Sequence, residues 1–201
     1  MSDFPTQFKV ILDTLRNLSP KIASIQQHAL DPGRALHGSV ELRTSADSFG
    51  NIVANLRQVA HDAQDTADFL LSNVFSKVMD PNTSPEAKAE ALRDFRTAAA
   101  NNADRVMEPT AKLRHLQNLL NSNQILLNTN NFNTTSISNQ IDTIEGAVAS
   151  IKNIYTKISG FVDKIERRMA QGITVTADYF MGDIKWLATI SADLKKFYEQ
   201  I

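Results

Sequence analysis

Apolar side chains recur along this chain in alternating steps of three and four. Phe8, Ile11, Leu15, Leu18, Ile22, Ile25 and Ala29 set the rhythm. It returns in Leu42, Ala46, Phe49, Val53, Leu56, Ala60, Ala63, Ala67, Leu70 and Val74. A third series is Leu92, Phe95, Ala99, Asn102, Val106, Pro109, Leu113, Leu116, Leu120 and Leu127, with polar steps at Asn102 and Asn123. The fourth, Ile137 to Met169, runs without a miss through Ile141, Ile144, Val148, Ile151, Tyr155, Ile158, Val162 and Ile165. The last comprises Ala177, Phe180, Ile184, Leu187, Ser191, Leu194, Tyr198 and Ile201. A mean step of 3.5 is the period of helices that wrap one another with a left-handed twist. Strands need a period of two. The only short β-like run, Ile173-Thr174-Val175-Thr176, reads as the start of a helix.

Four clusters of turn and cap chemistry interrupt the pattern: Asp31-Pro32-Gly33 running on to Gly38, Asp80 to Pro85, Asn128 to Thr135, and Gly172. Asn and Asp make local backbone bonds, proline cannot continue a helix, and glycine accepts a left-handed cap. Ser84-Pro85-Glu86 reads as N-cap, first-position proline and first-turn acid. The pattern therefore predicts helices over about 5–30, 39–79, 85–127, 136–171 and 174–200 in one domain spanning 1–201. Short connections make neighbouring helices antiparallel. The expected fold is all-α: an elongated, coiled-coil-like, up-and-down antiparallel bundle of about five helices, three of them long. Pro20 and Pro109 lie in phase with the heptads and predict kinks rather than breaks.

Folding the chain at each turn sets a register. About the Pro81–Ser84 turn, residues whose numbers sum to about 165 face each other, which brings Ala60, Ala63 and Ala67 to Ala98, Ala99, Asn102 and Val106. The next two folds bring Gly160 to Val162, and Gly182, to the same height. Small residues from four helices predict close backbone approach in a narrow waist, with a small cavity or hinge as the alternative. Asn102 in that layer needs a partner, because a buried amide without one costs about 1–3 kcal/mol.

Charge and composition remove function classes. Lys plus Arg number 21 and Asp plus Glu 22, a net charge of −1, so no basic footprint for nucleic acid exists. The absence of cysteine excludes disulfides, thiolate metal sites and a cysteine nucleophile. The start, Met1 to Pro5, has neither a basic head nor an apolar core, so no secretory signal is read and a cytoplasmic location is the expectation. No apolar run is long enough to span a bilayer.

The chemistry-bearing clusters are few. His61, Asp62, Asp65 and Asp68 place oxygen donors on one helix face, but no second acidic helix matches them, so a solvated acidic face is expected rather than a metal site. Gly33-Arg34-Ala35-Leu36-His37-Gly38-Ser39 has the glycine spacing of a phosphate loop without its lysine or preceding strand. His28, His37 and His115 stand apart from one another. Lys164, Glu166, Arg167 and Arg168 suit a helix C-terminus. Trp186 flanks the last seam, and Phe132 sits among polar turn residues. Phe132, Trp186 and Asn102 are the candidate interaction residues. No catalytic residue, cofactor or metal site is expected.

The expected function is that of a non-enzymatic interaction or scaffold protein, binding a protein partner or itself through long amphipathic helices. Phe69, Phe75, Ile125, Phe161 and Phe197 lie outside the seams and could form a second apolar face. In outline the chain also resembles the bundles of α-helical pore-forming toxins, with several helices of about 40 residues. That resemblance implies a membrane-active or lipid-binding protein as the alternative.

Overall fold

The computed structural model describes residues 4–29 and 39–201. The fold is all-α, with no strand among the described residues. The helices are α1 Phe4–Ala29, α2 Ser39–Asp47, α3 Phe49–Phe69, α4 Ser76–Met79, α5 Pro85–Arg105, α6 Glu108–Ser122, α7 Gln124–Thr129, α8 Thr134–Ala170 and α9 Met181–Tyr198. A π-helical segment, Leu70–Phe75, joins α3 to α4. The chain forms two compact units. Unit 1 holds Met1–Arg57, Met107–Ala149 and Gln200–Ile201, and unit 2 holds Gln58–Val106 and Ser150–Glu199.

In unit 1, α1 packs on α2 and α2 on α6. The seam of α1 is buried at Phe8, Ile11, Leu15, Leu18, Ile22 and Ile25. Pro20 lies inside α1, which runs on past it. Antiparallel α6 and α8 are tied by Arg114 Nε to Glu145 Oε2 at 3.1 Å and Gln117 Nε2 to Asp142 Oδ1 at 2.8 Å. Pro109 departs from expectation. It is not a kink in a continuous helix but sits in the first turn of a new one, α6, after a break at Val106-Met107. Without an N–H it leaves the Arg105 carbonyl no helical donor, and its ring crowds that carbonyl.

In unit 2, antiparallel α3 and α5 are registered by Asn102 Nδ2 donating to Thr66 Oγ1 (3.2 Å) and by the Phe69 and Phe95 rings, stacked at 6.4 Å. Antiparallel α8 and α9 are registered by Lys164 on Asp183 (2.8 Å) and Lys157 over Trp186 (5.0 Å). These pairings agree with the register read from the turns. Phe75, Phe161 and Phe180 form an aromatic core cluster with centroids 5.2–5.7 Å apart. Phe75 lies in the π segment, which also buries Leu70 and Val74.

The turns follow their chemistry. Ser84 caps α5 by accepting from Ala87 N at 3.2 Å, with Pro85 in the first turn. The backbone N–H of Asn82 and the Thr83 hydroxyl bond the Asp80 carboxylate and hold it below its ordinary pKa. Asn131 (φ 65°) and Gly172 (φ 68°) close α7 and α8 as left-handed caps. In each, the following N–H reaches back five residues: Phe132 to the Leu127 carbonyl (3.0 Å) and Ile173 to the Arg168 carbonyl (2.9 Å). The last helix starts later than expected, at Met181 rather than 174. The run Ile173–Thr176 has no regular structure, since successive β-branched side chains lose rotamer freedom in a helix.

Candidate functional site

Unit 2 contains an open groove of about 710 Å³ between α5 and α8. One wall is Phe95, Arg96, Ala99, Ala100 and Ala103; the other runs from Lys152 through Tyr155, Ile158 and Gly160 to Asp163. The expected narrow waist is therefore corrected on this side. Its α3 members, Ala60, Ala63 and Ala67, are fully buried, but Ala98 is exposed and Ala99 and Gly160 are half-buried. A Cβ added at Gly160 or Gly182 would meet nothing within 4 Å, so neither glycine marks a close backbone approach. Small side chains line both walls, with the rings of Phe95 and Tyr155 among them.

One end of the groove is latched. Arg96 reaches from α5 to α8, where its Nε donates to Glu166 Oε1 (3.0 Å) and its Nη2 to Glu166 Oε2 (2.7 Å) and to Asp163. The Glu166 and Asp163 carboxylates hold the guanidinium well above its ordinary pKa. The other end carries Lys152, eleven positions before Asp163 and exposed. Lys152 thus sits at one end of the trough and the Arg96–Asp163–Glu166 cluster at the other.

A polar seam lies behind the groove. The Thr66 hydroxyl donates to the Asp62 carbonyl (2.6 Å) and accepts from Asn102. Burial pushes the Tyr155 phenol well above its ordinary value, the nearby Thr66 hydroxyl offsets part of this, and the Asp62 and Asp65 carboxylates add to the rise. Between α3 and α9, Ser191 donates to Asp68, which Gln64 also bonds, and the Tyr198 ring lies 4.9 Å from that of His61. The acidic cluster is divided among separate neighbours: Gln58 on Asp62 (2.7 Å), His61 Nδ1 3.2 Å from Asp65, and Gln64 with Ser191 on Asp68. Among the described residues no group of three or more His, Cys, Asp or Glu is placed to hold a metal ion.

The three candidate interaction residues lie far apart in the chain, and the structure does not bring them to one place within either unit. Asn102 is half-buried rather than sealed, and its amide is used on Thr66. Trp186 is half-buried under Lys157. Phe132, in unit 1, is half-buried with its ring 5.5 Å from His28. His115 is exposed on α6, while His37 and the Gly33–Gly38 turn lie outside the described residues. The expected second apolar face divides. Phe75, Phe161 and Phe197 are core residues, whereas Phe69 is 51% and Ile125 84% exposed. Within the basic cluster, Lys164 pairs with Asp183, Glu166 with Arg96, and Arg168 stacks 3.9 Å over Tyr179.

Two features escape a reading of the sequence. The groove is hidden because Ala and Gly at seam positions signal close packing and open space equally. The α8–α9 connection and the first residue of α9 present Ile173, Tyr179 (61% exposed) and Met181 to solvent, none of them a member of the helical repeat. No described helix is long and apolar enough to cross a membrane. Compared with protein-family models, curated proteins and solved structures, the chain has no match.

Proposed function

We propose that this chain is a non-enzymatic interaction protein that pairs with a second copy of itself through the α5–α8 groove. The observation that carries this is the groove itself, an apolar trough with Lys152 at one end and, at the other, Arg96 shared between Asp163 and Glu166, an ion cluster of net charge −1. A two-fold axis across it sets Lys152 of each copy against the Arg96–Asp163–Glu166 cluster of the other, whose two carboxylates outnumber its one guanidinium, and a contact that uses one patch on both copies closes on itself. The small side chains of both walls allow a helix to approach closely. Half-exposed Phe69, stacked on the groove residue Phe95, extends the apolar area. Gly160→Leu tests the idea, because the added side chain enters open space within a single chain. Sedimentation velocity is expected to show a dimer for the unaltered chain and a monomer for Gly160→Leu, with equal helix content by circular dichroism. A variant that stays dimeric removes the groove from the contact.

A second reading rests on the α8–α9 connection. Ile173, Tyr179 and Met181 project an aromatic and two aliphatic side chains beside Arg168, the combination that suits a lipid–water interface. Under this reading the chain floats with liposomes and releases trapped dye, and Tyr179→Ser together with Met181→Ser abolishes both. Failure to float with either neutral or anionic vesicles rejects it.

A further inference from the structure

Within unit 2, α5 is a long helix with little apolar anchorage. Its 21 residues bury only Leu92 and Phe95, whereas α9 buries Leu187, Ile190, Ser191, Leu194 and Phe197 in 18 residues. Much of its attachment is polar, through Arg96 to Asp163 and Glu166 and through Asn102 to Thr66. Part of its boundary with α8 is open groove rather than packed core. Local chemistry rather than burial makes it a helix: an alanine-rich sequence, the Ser84 cap, Glu86 in the first turn and Arg105 in the last. Each end is a joint. The Asp80–Ser84 turn leads in, and at Val106-Met107 the helical bonding lapses before α6.

We propose that α5 is a strap, latched onto α8 by Arg96, that lifts as a unit and uncovers the α8 side chains Tyr155, Ile158 and Val162 while α3, α8 and α9 stay folded. Regions that open below the global unfolding free energy are those with few buried apolar contacts. The latch side chains are 38–44% exposed, so salt screens the pairing and loosens the strap. Once lifted, a helix of this length alone in water is marginal, so its amides exchange with solvent. The strap is a property of the single chain and holds whether or not two copies pair.

Hydrogen–deuterium exchange read by mass spectrometry tests it, on the full chain at a concentration where sedimentation reports monomer. Amides from 88 to 105 are expected to exchange about tenfold or more faster than those of 151–165 and 187–197. Raising NaCl from about 0.05 to about 0.5 M accelerates only the α5 set, and Arg96→Met does the same at low salt and removes the salt response. Val162→Cys, which introduces the chain's sole thiol, gives a second readout: the labelling rate of that thiol rises with salt alongside α5 exchange. Equal protection of α5 and α8, or acceleration spread over every helix of unit 2, overturns the proposal. So does a thiol labelling rate in the Val162→Cys variant that is indifferent to salt.

Discussion

The phenol of Tyr155 is closed off from water, and that fixes the response to alkali. Burial disfavours the phenolate, so the folded pKa lies above the ordinary 10.0. A group with a raised folded pKa contributes its full stability below the unfolded value and loses it as pH rises. The melting temperature is therefore expected to hold up to about pH 10 and fall beyond it, more steeply in the native chain than in Tyr155→Phe. Near neutrality the same substitution removes a buried hydroxyl that makes no well-formed hydrogen bond, so Tyr155→Phe is neutral or stabilising. A loss above about 1 kcal/mol would mean the hydroxyl is bonded after all. None of this is legible in the sequence, where Tyr155 is one more seam position. Its special state comes first from burial, with the Asp62 and Asp65 carboxylates of another helix adding to the rise and the Thr66 hydroxyl opposing it. Asn102 is easier to read, because a polar residue in an apolar series announces a partner, though not that Thr66 supplies it.

The helices themselves are largely legible, since a repeat held in phase over nine or ten steps leaves few alternatives to a packed helix. Of the fourth series every member from Ile137 to Ile165 is buried, and only Met169 at the end is half-buried. What the repeat omits is the second row of core side chains beside it, Ile52, Val59, Phe75, Ile154, Phe161, Ile190 and Phe197. In unit 2, α3 and α8 each meet both α5 and α9 and so bury a wider stripe than a two-stranded seam requires. The break before Pro109 and the late start of α9 escape the repeat for a related reason: periodicity continues across both, while backbone chemistry does not. On α3 the small residues do mark tight packing. Ala63 is fully buried between Ala60 and Ala67, also fully buried. Ala63→Leu is thus expected to cost about 1–3 kcal/mol by overpacking, measured by urea denaturation. An unchanged midpoint would place open space there instead. The contrast with Gly160, where a larger side chain enters free volume, separates the two sides of unit 2.

For the molecule as a whole, sequence and structure agree most closely on class. The apolar pattern leads to an all-α chain, and the described residues are all-α. Where the molecule would meet a partner is not legible, because the face involved is defined by what is missing from it. Space between two helices depends on spacing set by the largest side chains, and no local motif encodes that spacing. On the proposed reading, the groove between α5 and α8 is where two copies meet. Pairing through a mixed-charge face also predicts weakening at high salt, within the range where exposed ion pairs are screened. Sedimentation equilibrium of the unaltered full chain, run over a wide concentration series at neutral pH, is the decisive experiment. Pairing through the groove predicts an average mass that climbs with concentration from 22.3 kDa toward twice that value. A mass fixed at 22.3 kDa throughout would contradict it.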